Sequence, residues 1–386
     1  MMYINSETQT LLDKSNLNLN TSNLDDIYEK LRERVESFAF GYSETKQGAD
    51  CLRLLFDPEE ALIFVAMGYQ WVTAKEIAQE MNVDESEMIN KMYTMSKNGL
   101  IFRERKDGML RYRAVAGAHG FFEYNVHRWT KEVTDNLGCL LGEGMAHRYY
   151  KDTPIQRALP ISKVAVVEGE LLPIDDAYAN LASKKRIAIA SCICSMEKDH
   201  SGGGTCRHNT DRCMLFDEVA DFFVENNAGR YISHAHAEKL YKMCEDEGLV
   251  IHVGNSFDME FGCLCCKDCC QLIQFARDYP GPGISNYGNY YVLYEKNKCT
   301  NCELCIDRCP MNARTASDDK IAVDLDKCIG CGLCVTKCPP KANILKRKEK
   351  PYSPPGLSTW FDSSLEAGIR RGLIPQTEST YYQKDK

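Results

Sequence analysis

Apolar residues recur at helical spacing between residues 25 and 40, where Ile27, Leu31, Val35 and Phe38 share a face and predict an amphipathic helix. The preceding stretch, residues 1–25, is rich in Asn, Ser and Thr and reads as a loosely ordered arm. Three further helical patterns follow: an apolar one near 59–70, a second from 74 and a third from about 85. Thr73 with Glu76, and Asp84 with Glu87, fit a capping-box start for the last two. Met88, Met92 and Met95 supply the buried stripe of the third. The segment IFRERKDGMLRYRAV then alternates about Asp107-Gly108, a dipeptide that favours a tight hairpin turn.

Helical spacing returns from about 120 to 138, with Phe122, Val126, Trp129, Val133 and Leu137 on one face. Residues 150–180 read as irregular connection, interrupted by Pro154, Pro160 and Pro173. A strand is expected from Arg186 to Cys194, then helices at about 212–227 and 234–247, then a short strand within GLVIHVGN. Pro280, Gly281, Pro282 and Gly283 mark a boundary before a last region at about 290–347. Beyond it the chain reads as a tail that wraps another surface or stays mobile.

These patterns predict a multidomain α+β protein: an arm and helix at 1–50, a winged-helix-like domain at 51–118, a helix and connection at 119–185, a cysteine-rich α/β metal domain at 186–275, a ferredoxin-like domain at 288–348 and a tail at 349–386. The length of 386 residues suffices for several cores. The net charge of −8 offers no overall electrostatic attraction for nucleic acid or an anionic membrane surface.

Twenty cysteines change the picture. Only Cys51 and Cys139 precede residue 192, and most others stand two or three residues apart, too close to pair readily with each other but well placed to converge on a metal. With no signal-peptide pattern at the N-terminus and no apolar run near the ~20 residues of a membrane span, a reducing cytoplasm is expected, in an anaerobe or a protected compartment.

Two motifs are explicit. Cys299, Cys302, Cys305 and Cys309 precede Pro310, and Cys328, Cys331, Cys334 and Cys338 precede Pro339, each spaced C-x₂-C-x₂-C-x₃-C-P. The repeat extends further, since CPMNA at 309–313 matches CPPKA at 338–342 and each half is preceded by a short strand pattern. About sixty residues here closely resemble the bacterial two-cluster ferredoxin family. In such motifs three cysteines occupy one cubane and the fourth reaches the other cluster, which assigns Cys299, Cys302, Cys305 and Cys338 to one [4Fe–4S] cluster and Cys309, Cys328, Cys331 and Cys334 to a second. The resemblance implies low potentials. Paired zinc knuckles would leave both prolines and the crossed spacing as coincidence.

Upstream lie Cys192, Cys194, Cys206 and Cys213, then Cys263, Cys265, Cys266, Cys269 and Cys270. Nine cysteines suffice for one or two further [4Fe–4S] clusters, with zinc as the alternative because His200, His208, His234 and His236 are near in sequence. These histidines read as surface residues ahead of ligands. Neighbouring cysteines point apart in extended chain, so Cys265–Cys266 and Cys269–Cys270 suit two sites, one on each side of the segment. The strands ending at Cys194 and spanning 248–255 are expected to pair. Cys51, Cys139 and Cys244 read as small buried hydrophobes. The loop SGGGT at 201–205 has neither P-loop nor dinucleotide spacing and reads as a flexible linker between ligands. The region loosely resembles anaerobe proteins that attach a cysteine-rich domain to a ferredoxin.

Residues 51–118 carry nine Lys/Arg against ten Asp/Glu, and only the hairpin is basic, through Arg103, Arg105, Lys106, Arg111 and Arg113. A docking or homodimerisation module is therefore favoured over DNA binding. The leading expectation is a soluble electron-transfer protein or subunit, passing low-potential electrons to or from a partner such as a flavoprotein or reductase. A redox-sensing winged-helix regulator and an iron–sulfur reductase with an open-site cluster are the alternatives. No catalytic constellation is legible.

Overall fold

Ile27, Leu31 and Val35 are buried along α1 (Leu24–Ser37), as the helical spacing requires. They belong to the first of two units into which the chain divides: residues 1–148, 225–228 and 364–386 form one, and 149–224 with 229–363 the other. The computed structural model describes residues 24–38, 41–43, 46–140, 156–161, 167–168, 171–278, 288–318, 320–351 and 358–379. The expected N-terminal arm, Pro154, the Pro280–Gly283 boundary and the side chain of Cys139 lie outside the described residues.

In the first unit α1 is followed by α2 (Lys46–Leu52), α3 (Pro58–Ala66), α4 (Ala74–Met81) and α5 (Glu85–Lys97), then the hairpin β1 (Phe102–Lys106) and β2 (Met109–Arg113). The caps are local. Thr73 and Glu76 form a reciprocal capping box, whereas Asp84 accepts from Ser86 and Glu87. Met88, Met92 and Met95 are buried. The hairpin turns at Asp107 and Gly108, both at positive φ (51° and 79°), which suits the tight two-residue turn. Tyr112 of β2 exchanges two backbone bonds with Val72 at 2.7 and 2.8 Å, fastening the hairpin to the start of α4.

The single helix expected over 120–138 is broken. A turn at Phe122–Tyr124 and a 3₁₀ turn at Val126–Arg128 precede Trp129, whose backbone is extended, and α6 starts afresh (Lys131–Leu140). The side chains explain the break: Asn125 Nδ2 donates to Phe121 O and Gly99 O, and Thr130 Oγ1 accepts from Val133 N-H as a new N-cap. At the chain end, part of the segment expected to lie on another surface or stay mobile is helical. Leu365, Ile369 and Ile374 are buried, and the Arg371 guanidinium donates to carbonyls of Glu36, Ser37 and Phe38.

The second unit is built on a six-stranded antiparallel sheet, in the order β3 (Gln156–Leu159), β8 (Val250–Gly254), β9 (Phe261–Cys265), β6 (Asp211–Phe216), β5 (Ile187–Ser191), β7 (Gly229–Tyr231). Three expectations are corrected. The strand at 186–194 stops at Ser191, and residues 193–200 are the helix α8 (Ile193–His200), after α7 (Ala177–Ser183). Residues 211–216 form a strand, not the start of a helix, because Arg212 through Phe216 are all buried, as in an interior strand; the helix α9 begins at Asp217 (Asp217–Glu225). Strands β5 and β8 do not pair, since β6 and β9 lie between them. The helix α10 (His234–Glu247) falls where expected and ends on Gly248 in the left-handed conformation.

Arg157 on β3 ties this sheet to its surroundings. It bonds Asp175 at 3.0 Å and the carbonyls of Gly254, Ser256 and Ile174, while Asn289 donates to the other Asp175 oxygen at 2.8 Å. After α11 (Gln271–Asp278) the C-terminal region forms β10 (Tyr290–Tyr294), α12 (Leu304–Asp307), a hairpin of β11 (Arg314–Ser317) and β12 (Lys320–Val323), α13 (Leu333–Thr336) and β13 (Asn343–Arg347). β13 pairs antiparallel with β10 and parallel with β4 (Val167–Glu168). The last helix, α14 (Trp360–Arg370), begins with Trp360 edge-on to Phe261 at 5.6 Å.

Candidate metal centres

The two cysteine motifs at 299–309 and 328–338 fold as repeats in geometry as well as in spacing. Each short helix, α12 and α13, starts after a residue in the left-handed conformation, Glu303 (φ 58°) and Gly332 (φ 77°). Each motif ends in a second such residue, Asn312 (φ 50°) and Lys341 (φ 51°). That turn aims a backbone N–H at the last thiol. Ala313 donates to Cys309 Sγ and Ala342 to Cys338 Sγ, both at 3.3 Å, and Asn301 donates to Cys299 Sγ at 3.3 Å. Gly330 is required by close approach, because a Cβ there would lie 2.2 Å from Tyr290 O.

One cavity is lined by Cys309 of the first motif together with Cys328, Cys331 and Cys334 of the second, with Met311 and Leu333 beside them. Cys309, Cys331 and Cys334 are buried, and burial pushes the Cys334 thiol up to about 12 and raises those of Cys309 and Cys331. The other four cysteines are more open: Cys302 is exposed, and Cys299, Cys305 and Cys338 are half-buried. Arg314, the first residue of β11, is 3% exposed and interacts with Cys305 as well as Cys309, Cys328 and Cys334. Burial opposes its charge, yet these thiols sustain it.

The upstream cysteines come from five places. Cys192 stands at the N-cap position of α8 and Cys194 lies in its first turn, Cys206 follows the 201–205 loop, Cys213 is on β6, Cys263 and Cys265 are on β9, and Cys266, Cys269 and Cys270 precede α11. Two groups of donor atoms converge within 4.8 Å: Cys206 with Cys266 and Cys269, and Cys265 with Cys270 and His252. In the first, Cys206 and Cys266 sulfurs lie 3.9 Å apart, and the Arg212 guanidinium donates to Cys206 Sγ at 3.1 Å, to Leu264 O at 3.2 Å and to Ser195 Oγ. Burial opposes ionisation of Cys206, but bonds from the His208 backbone and Cys269, with Arg212 nearby, hold its thiol below the usual value. In the second group, bonds from Cys194 and Cys265 hold Cys270 down to about 6, while Cys194 and Cys265 are themselves raised. Cys192 and Cys263 touch Cys194 and Cys265 respectively, and Cys213 pairs with Cys263 across the sheet.

None of the four histidines near in sequence enters these groups. His208 binds Glu247 at 2.6 Å and His234 meets Lys184 O at 2.7 Å, while His200 and His236 lie outside both sets. The histidine that does enter is His252, placed by its position in the buried run Val250–Gly254. A lone imidazole in an otherwise apolar strand was the available signal. Burial holds it neutral, down to about 4. Cys51 and Cys244 are fully buried, and burial raises both thiols.

Residues 291–339 match the family model of the 4Fe-4S dicluster domain, and this segment contains all eight cysteines of the two motifs. No characterised protein and no solved structure matches the chain. The dicluster domain, with the many further cysteines, supports an iron–sulfur electron-transfer role. Among the described residues no helix is long and apolar enough to cross a membrane.

Proposed function

We propose that this chain is an electron-transfer protein or subunit, relaying low-potential electrons to or from a partner oxidoreductase through two [4Fe–4S] clusters. Cys299, Cys302, Cys305 and Cys338 would hold one and Cys309, Cys328, Cys331 and Cys334 the other. The observation that carries this is the cavity in which Cys309 joins the three cysteines of the opposite motif. Such clusters store and release single electrons with little change of shape.

The protein's contribution is to shield, polarise and present. Met311 and Leu333 line the inner set with buried apolar surface, which disfavours extra charge there. The N–H groups of Asn301, Ala313 and Ala342, aimed at three sulfurs, and the Arg314 cation beside both sets favour the reduced state. The exposure of Cys302 makes the outer set the point of exchange with a flavoprotein or reductase. The upstream cysteines would add one or two metal centres to the same unit, clusters or zinc.

The helices and hairpin of the first unit suit a winged-helix-like docking or dimerisation module more than a DNA reader. Its basic hairpin is largely spent internally. Arg103 and Arg105 bind Glu225, Arg111 binds Glu104, and Arg111 and Arg113 stack on Trp71. A phosphate contact would have to displace these partners.

The test is direct. Full-length protein purified without oxygen should contain at least about eight irons and eight labile sulfides, bleach on reduction with dithionite and recover its colour when free flavin mononucleotide is added. Iron without labile sulfide, or colour that does not respond to reductant, would exclude the relay. Retention of duplex DNA by only one redox state would favour a regulator instead.

A further inference from the structure

The sheet sorts the upstream donors by face. Cys213 on β6, Cys263 on β9 and His252 on β8 are register partners on three successive strands, so their side chains project from one face. Cys265, two residues beyond Cys263 on the same regular strand, projects from the same face. Small residues flank the row, Ala190 on β5 beside Cys213 and Ala158 on β3 beside His252. The approach to α11 brings Cys270 to His252 and Cys265, and the first turn of α8 brings Cys194, whose thiol bonds that of Cys270.

Spacing sets this group apart from the dicluster cysteines, and charge sets it apart from the Cys206–Cys266–Cys269 group. His252, Cys265 and Cys270 are buried, and their donor atoms lie within 4.8 Å of one another. A tetrahedral ion with metal–sulfur bonds of about 2.3 Å and metal–nitrogen bonds of about 2.0 Å sets its donors ~3.5–3.8 Å apart, whereas thiolates on different irons of a cubane must spread wider. Among the described residues, the eight dicluster cysteines form no group this tight. The Cys206–Cys266–Cys269 group has the buried Arg212 cation against it, as a set of thiolates needs. The His252 group has an imidazole in place of one thiolate, which lowers the negative charge that must be buried around a divalent ion. A histidine that served only to fill the core would not require thiols from two separate elements beside it.

We propose that His252, Cys265, Cys270 and Cys194 form a closed Cys₃His site for a single zinc ion, distinct from the Cys206–Cys266–Cys269 group. This rests on the upstream cysteines being metal ligands at all. By pinning β8, β9, α8 and α11 to one point, the ion would brace the sheet that carries the dicluster region behind it.

Zinc and iron should be counted per chain in full-length protein, purified without oxygen and dialysed against a chelator, for the natural sequence, His252→Ala and His252→Cys. The expected result is about one zinc in the natural protein, at least a tenfold lower occupancy in His252→Ala, and one zinc again in His252→Cys, with iron unchanged throughout. Should His252→Ala not fold, His252→Cys decides: cobalt(II) in place of zinc should show stronger sulfur-to-metal charge transfer than in the natural protein. An unchanged cobalt spectrum, or zinc retained equally by His252→Ala, would overturn the assignment of His252 while leaving upstream metal in place. Loss of about four irons instead of one zinc would overturn the single-ion site in favour of a cluster. No zinc and no iron beyond about eight would overturn both this site and the wider reading of the upstream cysteines.

Discussion

Cys265 and Cys266 are consecutive in the chain yet belong to different donor groups, Cys265 with His252 and Cys270, Cys266 with Cys206 and Cys269. The second doublet, Cys269–Cys270, divides the same way. A ten-residue segment can thus serve two centres: β9 ends at Cys265, and the turn over 267–269, closed by the bond from Cys270 N–H to Cys266 O, brings the second doublet back to the first. In the assignment proposed for the dicluster motifs the fourth ligands would instead cross between repeats.

That proposed crossing is the first testable point. Cys309→Ala should cost the cluster of Cys328, Cys331 and Cys334, since Cys309 lines their cavity. Iron should fall by about four per chain, with the paramagnetic signal of the Cys299–Cys302–Cys305–Cys338 cluster retained. Loss of that other signal instead would refute the crossed assignment.

Arg314 is a buried cation beside both cysteine sets. Arg314→Gln removes a positive charge and should lower both reduction potentials by tens of millivolts. Equilibrium titration followed by paramagnetic resonance checks this. An upward shift would show that Arg314 does not act through its charge.

Glu225 accepts from Arg103 at 2.9 Å and Arg105 at 2.6 Å. Glu225→Gln should destabilise the first unit by about 1–2 kcal/mol, a charge-assisted contribution reduced by partial exposure. Desolvation raises the Glu225 carboxyl, but bonds from Arg103 and Arg105 outweigh it and hold the group below its ordinary value of 4.5. A depressed folded value means that the stabilisation is present above about pH 4.5 and lost as pH falls through the folded value. Melting midpoints of the natural protein and Glu225→Gln should therefore converge in acid. A constant difference down to pH 3 would contradict the ion-pair origin.

Asp175 bridges Arg157 and Asn289, all three buried. Asp175→Ala leaves the Arg157 guanidinium buried without its carboxylate and should cost about 3–5 kcal/mol in denaturant unfolding of the second unit. A loss under 1 kcal/mol would mean that the three carbonyl partners of Arg157 satisfy it alone.

What could be read from the chain alone follows the range of the interactions involved. Thr73, Asp84 and the Asp107-Gly108 turn act within a few residues, so their consequences were legible. The dicluster motif was legible because its ligand spacing is local and repeated. Strand order was not. Residues 211–216 looked helical because an interior strand is apolar on both faces and lacks alternation. The intervening β6 and β9 are set by pairing over fifty residues, which periodicity does not record. His252 escaped for the same reason: its thiol neighbours arrive from other elements, while the histidines close to cysteines in sequence bond elsewhere.

The central claim is that this chain holds two reducible clusters in one dicluster domain. Spin quantitation by paramagnetic resonance on the dithionite-reduced full-length protein tests it most directly. The expected spectrum is that of two magnetically interacting [4Fe–4S]⁺ centres, integrating to about two spins per chain and vanishing on reoxidation. A silent reduced protein, or a single non-interacting spin, would contradict it.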